Sequence, residues 1–242
     1  MNYREMRVEE EFLAQDVARM HPWTTALGNE SEQYYNFIEN PELIESSLED
    51  FIPFAHYRAI PAFYDLLRWL NGSDSIFESN DCALLREIKG STDDNTPKIA
   101  KQTHRINGRL IFFFRDHILN GDKKAFSWLW NDLPKEFDKV APKFDLGILG
   151  YSIAPTAYQS LPAPLSGISY PSICLTFFAW GTDDESTMEN LRKLFVNTHV
   201  ALKNLSKKGA GKQFPERARK LLEKVSEGDA ETLNKLMTER RI

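Results

Sequence analysis

The segments Arg109-Leu-Ile-Phe-Phe-Phe-Arg115 and Ser172-Ile-Cys-Leu-Thr-Phe-Phe-Ala-Trp180 are two dense runs of aromatic and aliphatic residues. Residues of these types favour strands, because their side chains pack well on a pleated, half-buried surface. Turn-forming residues bracket both runs, with Asn107-Gly108 before the first and Gly181-Thr-Asp-Asp184 after the second. Shorter runs predict further strands at Ile76-Phe77, Cys82–Ile88 and Leu146–Ile153. The turn-forming residues Glu78-Ser-Asn-Asp81 are expected to join the first two of these strands in a hairpin. The central part of the chain therefore predicts a four- to five-stranded, mainly antiparallel sheet.

Helical patterns lie on both sides of this predicted sheet. Pro61 suits the first turn of a helix that runs to Leu70, and Asn71-Gly72 is a typical end signal. From Met188 to Leu205, apolar residues recur at spacings of three and four, which predicts a long helix with one buried stripe. Further helices are predicted at Tyr3–Met20, Ala125–Leu133, Pro215–Val225 and Ala230–Met237. The fold class predicted is α+β, with N-terminal and C-terminal helices flanking the sheet.

The same patterns predict how the chain is organised. Residues 1–206 form a single α+β domain, with an acidic helical part at 1–55, the sheet region at 56–181 and the long helix at 182–206. The glycines of Lys207–Gly211 indicate a flexible linker. Residues 207–242 are then a C-terminal helical extension.

Composition places the chain among ordinary globular proteins. Its 242 residues are 42% hydrophobic and 27% charged, which suffices for a core of its own. The N-terminus lacks the basic start and apolar stretch of a secretory signal, and no apolar run reaches the roughly 20 residues of a membrane helix. The two cysteines, Cys82 and Cys174, are too few for a disulfide framework. We expect a soluble, cytoplasmic protein with no membrane partner.

Charge is distributed unevenly along the chain. Residues 1–50 contain twelve acidic residues and three arginines, whereas residues 201–224 contain eight lysines and arginines and two glutamates. This asymmetry fits solvated helix faces, a polar partner at each end, or a homodimer in which the two ends meet. The net charge of −5 argues against nucleic acid as the main partner.

The acidic residues nearest the predicted hairpin suggest one metal-dependent function. Asp74 precedes the first strand, and the triplet Glu87-Ile88-Lys89 ends the second. This order resembles that of nucleases of the restriction-endonuclease type, although Asp74 lacks the proline that precedes the aspartate there. The resemblance implies that Asp74 and Glu87 hold Mg²⁺ or Mn²⁺ and that Lys89 steadies the attacking water. The alternative is an exposed, salt-bridging strand edge.

Other catalytic signatures are missing from the sequence. The five histidines show no His-x-x-x-His or comparable spacing, so zinc is not expected. Phosphate-binding and nucleophile-elbow motifs are also absent. Arg115, Asp116 and His117 end the Phe-rich strand. A catalytic Asp116–His117 dyad is not expected, because the two side chains point to opposite faces of an extended chain, and Arg115 and Asp116 predict a local ion pair instead. We therefore expect no cofactor unless the nuclease alternative holds.

A long loop punctuated by proline and glycine is predicted from Tyr151 to Tyr170. Exposed aromatic residues favour protein recognition, since they bury a large area at low entropic cost. The candidate binding residues are Tyr151, Tyr158, Leu161, Leu165 and Tyr170. If the segment packs on the sheet instead, these side chains form a lid over the core. A third alternative is a small-molecule pocket beneath the segment.

Together these observations favour a non-catalytic protein that binds another protein in a bacterial cytoplasm, as an immunity or antitoxin-like factor does. The support is acidic charge, abundant aromatic residues and the missing catalytic motifs. The alternatives are the metal-dependent nuclease or phosphodiesterase with Asp74, Glu87 and Lys89, and a small-molecule-binding regulator. The nuclease alternative requires its carboxylates to converge on one ion.

Overall fold

The computed structural model of the chain describes residues 2–5, 19–22, 35–87, 104–140 and 147–238. The described strands are β1 (Asn2–Glu5), β2 (Arg19–His21), β3 (Phe77–Glu87), β4 (His104–Phe114), β5 (Gly147–Tyr158) and β6 (Ser169–Gly181). The described helices are α1 (Ile44–Ser47), α2 (Ala59–Asn71), α3 (Ile118–Gly121), α4 (Lys123–Val140), α5 (Asp184–Gly211), α6 (Phe214–Ser226) and α7 (Ala230–Thr238). The α+β class predicted from the sequence is confirmed.

The six described strands form one mixed sheet. The order of the strands is β1–β5–β6–β4–β3. The short strand β2 also pairs with β5. The β3–β4, β4–β6 and β5–β6 pairs are antiparallel, as expected, whereas β1 and β2 run parallel to β5. The two short strands thus lie on one edge of the sheet, and β3 lies on the other.

The helices α2, α4 and α5 cover one face of the sheet. Phe177 of β6 contacts Phe195 of α5, with ring centroids 5.0 Å apart, and Phe195 in turn contacts Phe63 of α2 at 4.7 Å. Residues opposite one another in the ladders share a face, so Leu110 and Phe112 of β4 belong to this core. Neighbouring residues such as Phe113 point to the second face, where the candidate site lies.

The helix predicted from Pro61 is confirmed, and an aspartate caps the start of the long helix. Pro61 lies in the first turn of α2, and the helix ends at Asn71 before Gly72. Asp183 caps α5, because its carboxylate accepts a hydrogen bond from the Ser186 amide at 2.7 Å. The acidic cap satisfies an amide that would otherwise lack a partner at the start of the helix.

Three local predictions are wrong. The turn expected at Glu78–Asp81 is part of the single strand β3, in which a register shift between Ser79 and Asp81 accommodates an extra residue. The helix α4 does not end at Leu133 but continues through Pro134 to Val140, where the buried Phe137 helps to hold it. The helix expected at Tyr3–Met20 is replaced at its two ends by β1 and β2, and residues 6–18 lie outside the described residues.

The linker expected at 207–211 is helical, because α5 continues to Gly211. Gly209 lies inside this part of the helix. A Cβ there would lie 2.3 Å from Ile76 Cδ1 and 3.3 Å from Phe214 Cδ2, which is too close for a side chain. The absent side chain lets α5 approach the start of β3 and α6 closely. Across the described ranges, no helix is both long and apolar enough to cross a membrane.

Candidate metal centre

Three polar side chains from separate elements meet at one end of the sheet. His21 is the last residue of β2, Glu78 is the second residue of β3, and His117 is the N-cap of the short helix α3. His21 Nε2 lies 2.8 Å from Glu78 Oε1, and His117 Nε2 lies 3.5 Å from Glu78 Oε2. Because β2 and β3 lie at opposite edges in the strand order, this contact requires the sheet to curl until its two edges meet at this end.

Strand register explains why these side chains point to the same place. Glu78 lies opposite Phe113 in the β3–β4 ladder, and His21 lies opposite Tyr158 in the β2–β5 pair. Phe113 and Tyr158 contact one another across the curl, with ring centroids 4.9 Å apart. The two strand pairs therefore direct His21 and Glu78 toward the same apolar wall, formed by Phe113 and Tyr158, on the second face of the sheet.

Asn120 fixes the turn that carries His117. Its side-chain amide donates to the carbonyls of Phe114 and His117, both at 3.1 Å, and its Oδ1 accepts from the Phe114 amide at 3.0 Å. Asn120 is only 1% exposed, so these bonds form in a low-dielectric interior where they hold geometry well. The position of His117 is thus set by the turn rather than by its own side chain.

Each histidine has a second partner on its other ring nitrogen. His21 Nδ1 lies 3.1 Å from Asn80 Oδ1, and His117 Nδ1 lies 2.5 Å from Ser160 Oγ. Partners of this kind orient the imidazole ring and direct Nε2 toward the ligand position, as in many protein metal sites. Both Nε2 atoms accordingly face Glu78.

Glu78 is ionised despite its burial. Burial by itself would raise the pKa of its carboxyl group, but the hydrogen bonds and charges of His117 and His21 outweigh this and lower the pKa to about 2. The side chains of His21, Glu78 and His117 are 4%, 6% and 13% exposed. The site is therefore nearly closed, and the side of His117 is its most open part.

Aromatic rings complete the wall of the site. His21 contacts the Phe113 ring edge-on at 4.9 Å, and His117 stacks on Tyr158 with centroids 4.8 Å apart and planes at 30°. Burial raises the pKa of the Tyr158 hydroxyl well above its ordinary value, and the charge of Glu78 raises it further. The Tyr158 hydroxyl therefore stays protonated at neutral pH.

These residues fit a metal ion of the zinc class. One ligand atom from each of His21, Glu78 and His117 lies within 4.8 Å of the other two. A tetrahedral ion with ligands at about 2.1 Å needs ligand atoms about 3.4 Å apart, which small side-chain movements from this arrangement would supply. His117 Nε2 is buried, and its contact with Glu78 Oε2, at 3.5 Å, is longer than an ordinary hydrogen bond. A buried imidazole nitrogen that faces a carboxylate beside a second imidazole, without a closer partner among the described residues, suits coordination.

The carboxylates expected to hold a metal do not come together. Asp74 is exposed just before β3, and Glu87 is the last residue of this 11-residue strand. A strand rises about 3.3 Å per residue, so the two backbone positions are about 30 Å apart and cannot share one ion. Lys89 lies outside the described residues. The expected convergence fails because the hairpin that would have folded Glu87 back onto Asp74 does not form.

The candidate binding residues of the 151–170 segment are all buried. The exposed fractions are 4% for Tyr151, 0% for Tyr158, 6% for Leu161, 0% for Leu165 and 2% for Tyr170. The long loop predicted over this segment is limited to residues 159–168, because β5 continues to Tyr158 and β6 begins at Ser169. Its packing favours the alternative of a lid over the core. The open groove of about 500 Å³ seen between α2 and α5 lies elsewhere, beside Trp69 and His199.

The sequence contained no spacing signal for His21, Glu78 and His117. Their convergence depends on the curl of the sheet, which brings together strands that are distant along the chain. Of the three, only His117 lies in a segment with a predicted role, next to the ion pair expected between Arg115 and Asp116. In the structure Arg115 instead donates to backbone carbonyls, including Gly72 O at 2.7 Å and Leu70 O at 3.0 Å.

Comparisons with protein-family models, with curated proteins and with solved structures returned no match for this chain.

Proposed function

We propose that the protein binds one divalent transition-metal ion through His21, Glu78 and His117. The observation that carries the proposal is the convergence of two Nε2 atoms and a carboxylate, with the Nδ1 atom of each histidine held by a separate partner. Sites with three protein ligands of this type leave a further coordination position for water or another small ligand. A zinc-class ion at such a position supplies Lewis acidity and a water of lowered pKa.

The ligand set also indicates which ions the site selects. Imidazole nitrogen suits Zn²⁺, Fe²⁺ and Co²⁺, whereas Mg²⁺ and Ca²⁺ prefer sets made of oxygen ligands. The Mg²⁺ or Mn²⁺ expected for a nuclease would depend on Asp74 and Glu87, which are far apart. We therefore propose a nitrogen-rich, zinc-class site in place of the oxygen-rich one.

Calorimetry on the full chain tests this proposal. Protein treated with a chelator and dialysed is titrated with Zn²⁺, then with Mg²⁺, as wild type and as the variants His117→Ala and His56→Ala. His56 is exposed and belongs to a different surface, so its replacement is the matched control. We expect one Zn²⁺ per chain, a loss of at least about 100-fold in affinity for His117→Ala, and no change for His56→Ala. Wild type that fails to bind Zn²⁺, or binding that survives in His117→Ala, would refute the site.

The protein-binding function inferred from composition stays a prediction. Its five candidate contact residues are buried, so they do not form the exposed aromatic surface that it requires. The uneven charge of the chain remains in its favour, and co-purification from native lysate of a partner that high salt releases would support it.

A further inference from the structure

Tyr158 is the fourth side chain at the metal centre. It is the last residue of β5, it lies opposite His21 in the strand pair, and its ring stacks on that of His117 at 4.8 Å. Phe113 packs edge-on against it from the other side, with centroids 4.9 Å apart. The ring is thus held in place by two ligands of the proposed ion and by one apolar neighbour.

The hydroxyl of this tyrosine is unusual. Tyr158 is fully buried, and its oxygen makes no well-formed hydrogen bond within the described part of the chain. The neighbouring Thr156 hydroxyl, which acts to lower the pKa of Tyr158, is itself paired with Ser172 Oγ at 2.9 Å. A buried hydroxyl left in this state costs about 1–3 kcal/mol, and folded proteins rarely tolerate it without a function. His117 Nε2, on the ring stacked against Tyr158, has only the long contact of 3.5 Å with Glu78 Oε2 among the described residues. Two weakly satisfied polar atoms on stacked rings indicate that a ligand belongs beside them.

We propose that the Tyr158 hydroxyl donates a hydrogen bond to a small oxygen anion bound at the fourth position of the metal ion. This inference rests on the proposed metal site. Three protein ligands leave a tetrahedral ion with one position for an exogenous ligand. The stacked arrangement places a single O–H donor beside His117, so the ligand class is one with an anionic oxygen, such as a carboxylate or hydrogencarbonate.

Burial restricts the size of this ligand. The three metal-binding side chains are at most 13% exposed, so a bulky substrate cannot reach the ion directly. The most open side is at His117, whose Nδ1 contacts the exposed Ser160 of the 159–168 loop. Acetate is small enough to serve as a probe, and it carries the anionic oxygen that the site requires.

Cobalt provides a direct readout of the fourth position. Co²⁺ replaces zinc in such sites, and its visible absorption changes when an anion displaces bound water. The protein is loaded with Co²⁺ as wild type, Tyr158→Phe and Tyr170→Phe, then titrated with sodium acetate at constant ionic strength kept by perchlorate. Tyr170 is also buried, and its ring lies 6.4 Å from that of Tyr158, so Tyr170→Phe is a matched loss of one hydroxyl.

We expect acetate to shift the Co²⁺ spectrum of the wild type with a saturating curve. Tyr158→Phe should weaken acetate affinity about tenfold or more, as the loss of a hydrogen bond to a charged group does. Tyr170→Phe should bind acetate as the wild type does. Equal acetate affinity in all three proteins, or a wild-type spectrum that acetate leaves unchanged, would overturn the role of Tyr158.

The test separates this inference from the metal site itself. Co²⁺ that binds to wild type and not to His117→Ala, with no effect of acetate, would leave the metal site standing and reject the anion position. A wild type that takes up no Co²⁺ would reject both. The Co²⁺ affinity of Tyr158→Phe without acetate reports whether that variant is folded, and we expect it to remain within about threefold of the wild type.

Discussion

Replacing Glu78 by glutamine should destabilise the protein in a way that depends on pH. The carboxylate is buried and contacts both His21 and His117, which lower its pKa from the ordinary 4.5 to about 2. Glutamine keeps the size of the side chain and removes its charge. The variant therefore isolates the electrostatic part of the interaction in protein freed of metal by a chelator.

The magnitude follows from linkage. Each unit of pKa difference between the folded and unfolded chains is worth about 1.4 kcal/mol, so a pKa that falls from 4.5 to about 2 contributes about 3 kcal/mol. Because the folded pKa is the lower one, this stabilisation is fully present above pH 4.5 and is lost as the pH falls toward 2. At pH 3 only about 1 kcal/mol remains, and about 2 kcal/mol has been lost.

Urea unfolding at pH 7 and pH 3 measures this difference. We expect wild type to exceed Glu78→Gln by about 3 kcal/mol in free energy of unfolding at pH 7, and by about 2 kcal/mol less at pH 3. Glu216→Gln is the control, because the pKa of Glu216 is also lowered to about 2, by Arg219 first and then Lys220, on the exposed surface of α6. Salt at about 0.5 M should remove the effect at Glu216 and leave that at Glu78.

Two outcomes would contradict this reasoning. If the difference between wild type and Glu78→Gln were the same at pH 7 and pH 3, the histidines would not be stabilising the carboxylate. If salt weakened the Glu78 effect as strongly as the Glu216 effect, the cluster would behave as a surface ion pair rather than a buried one.

Two further substitutions test the packing that supports the site. Asn120→Ala should lower the free energy of unfolding by about 1–3 kcal/mol, because it leaves the buried Phe114 amide without its acceptor. It should also weaken Zn²⁺ binding, because it releases the turn that carries His117. Urea unfolding and calorimetry measure the two effects, and unchanged Zn²⁺ affinity would show that the turn does not position the ligand. Gly209→Ala should lower the free energy of unfolding by about 1–2 kcal/mol, because the added methyl group clashes with Ile76. Gly211→Ala is the control and should be neutral or slightly stabilising, because the space around Gly211 is open. Equal thermal midpoints for the two variants would contradict the close packing of α5.

The architecture was predictable where local signals and tertiary packing agree. Pro61 and Gly72 mark α2 because proline suits a first turn and glycine follows a helix end, and nothing in the packing opposes them. The aromatic run before Arg115 forms β4, because its local preference for a strand agrees with its burial in the sheet. The parallel strands β1 and β2 were not predictable, since their partner, β5, is distant in sequence and the residues themselves suggested a helical stripe.

The misplaced turn shows how the site escaped prediction. Glu78-Ser-Asn-Asp81 is composed of residues that favour turns. These residues nevertheless stay in the strand, because the folded chain supplies partners for the charged side chains, which in a turn would be solvated by water. Glu78 contacts two imidazoles, and Asp81 pairs with Arg109 at 3.0 Å. Local propensity was therefore overridden by long-range partners, and the two imidazoles among them, which no sequence spacing reveals, belong to the proposed metal site.

The buried carboxylate explains how an apolar pocket can accept a metal ion. Glu78 lies against Nε2 of both His21 and His117 and brings one negative charge to the cluster. A divalent ion held between these three groups therefore meets a counter-charge, which reduces the cost of burying it. Because the ion competes with protons for the same nitrogens, its affinity must fall as the pH is lowered. A single partner for Glu78 would be enough for a cluster that only stabilises the fold. The second imidazole is explained by a metal ion, which needs both nitrogens as ligands.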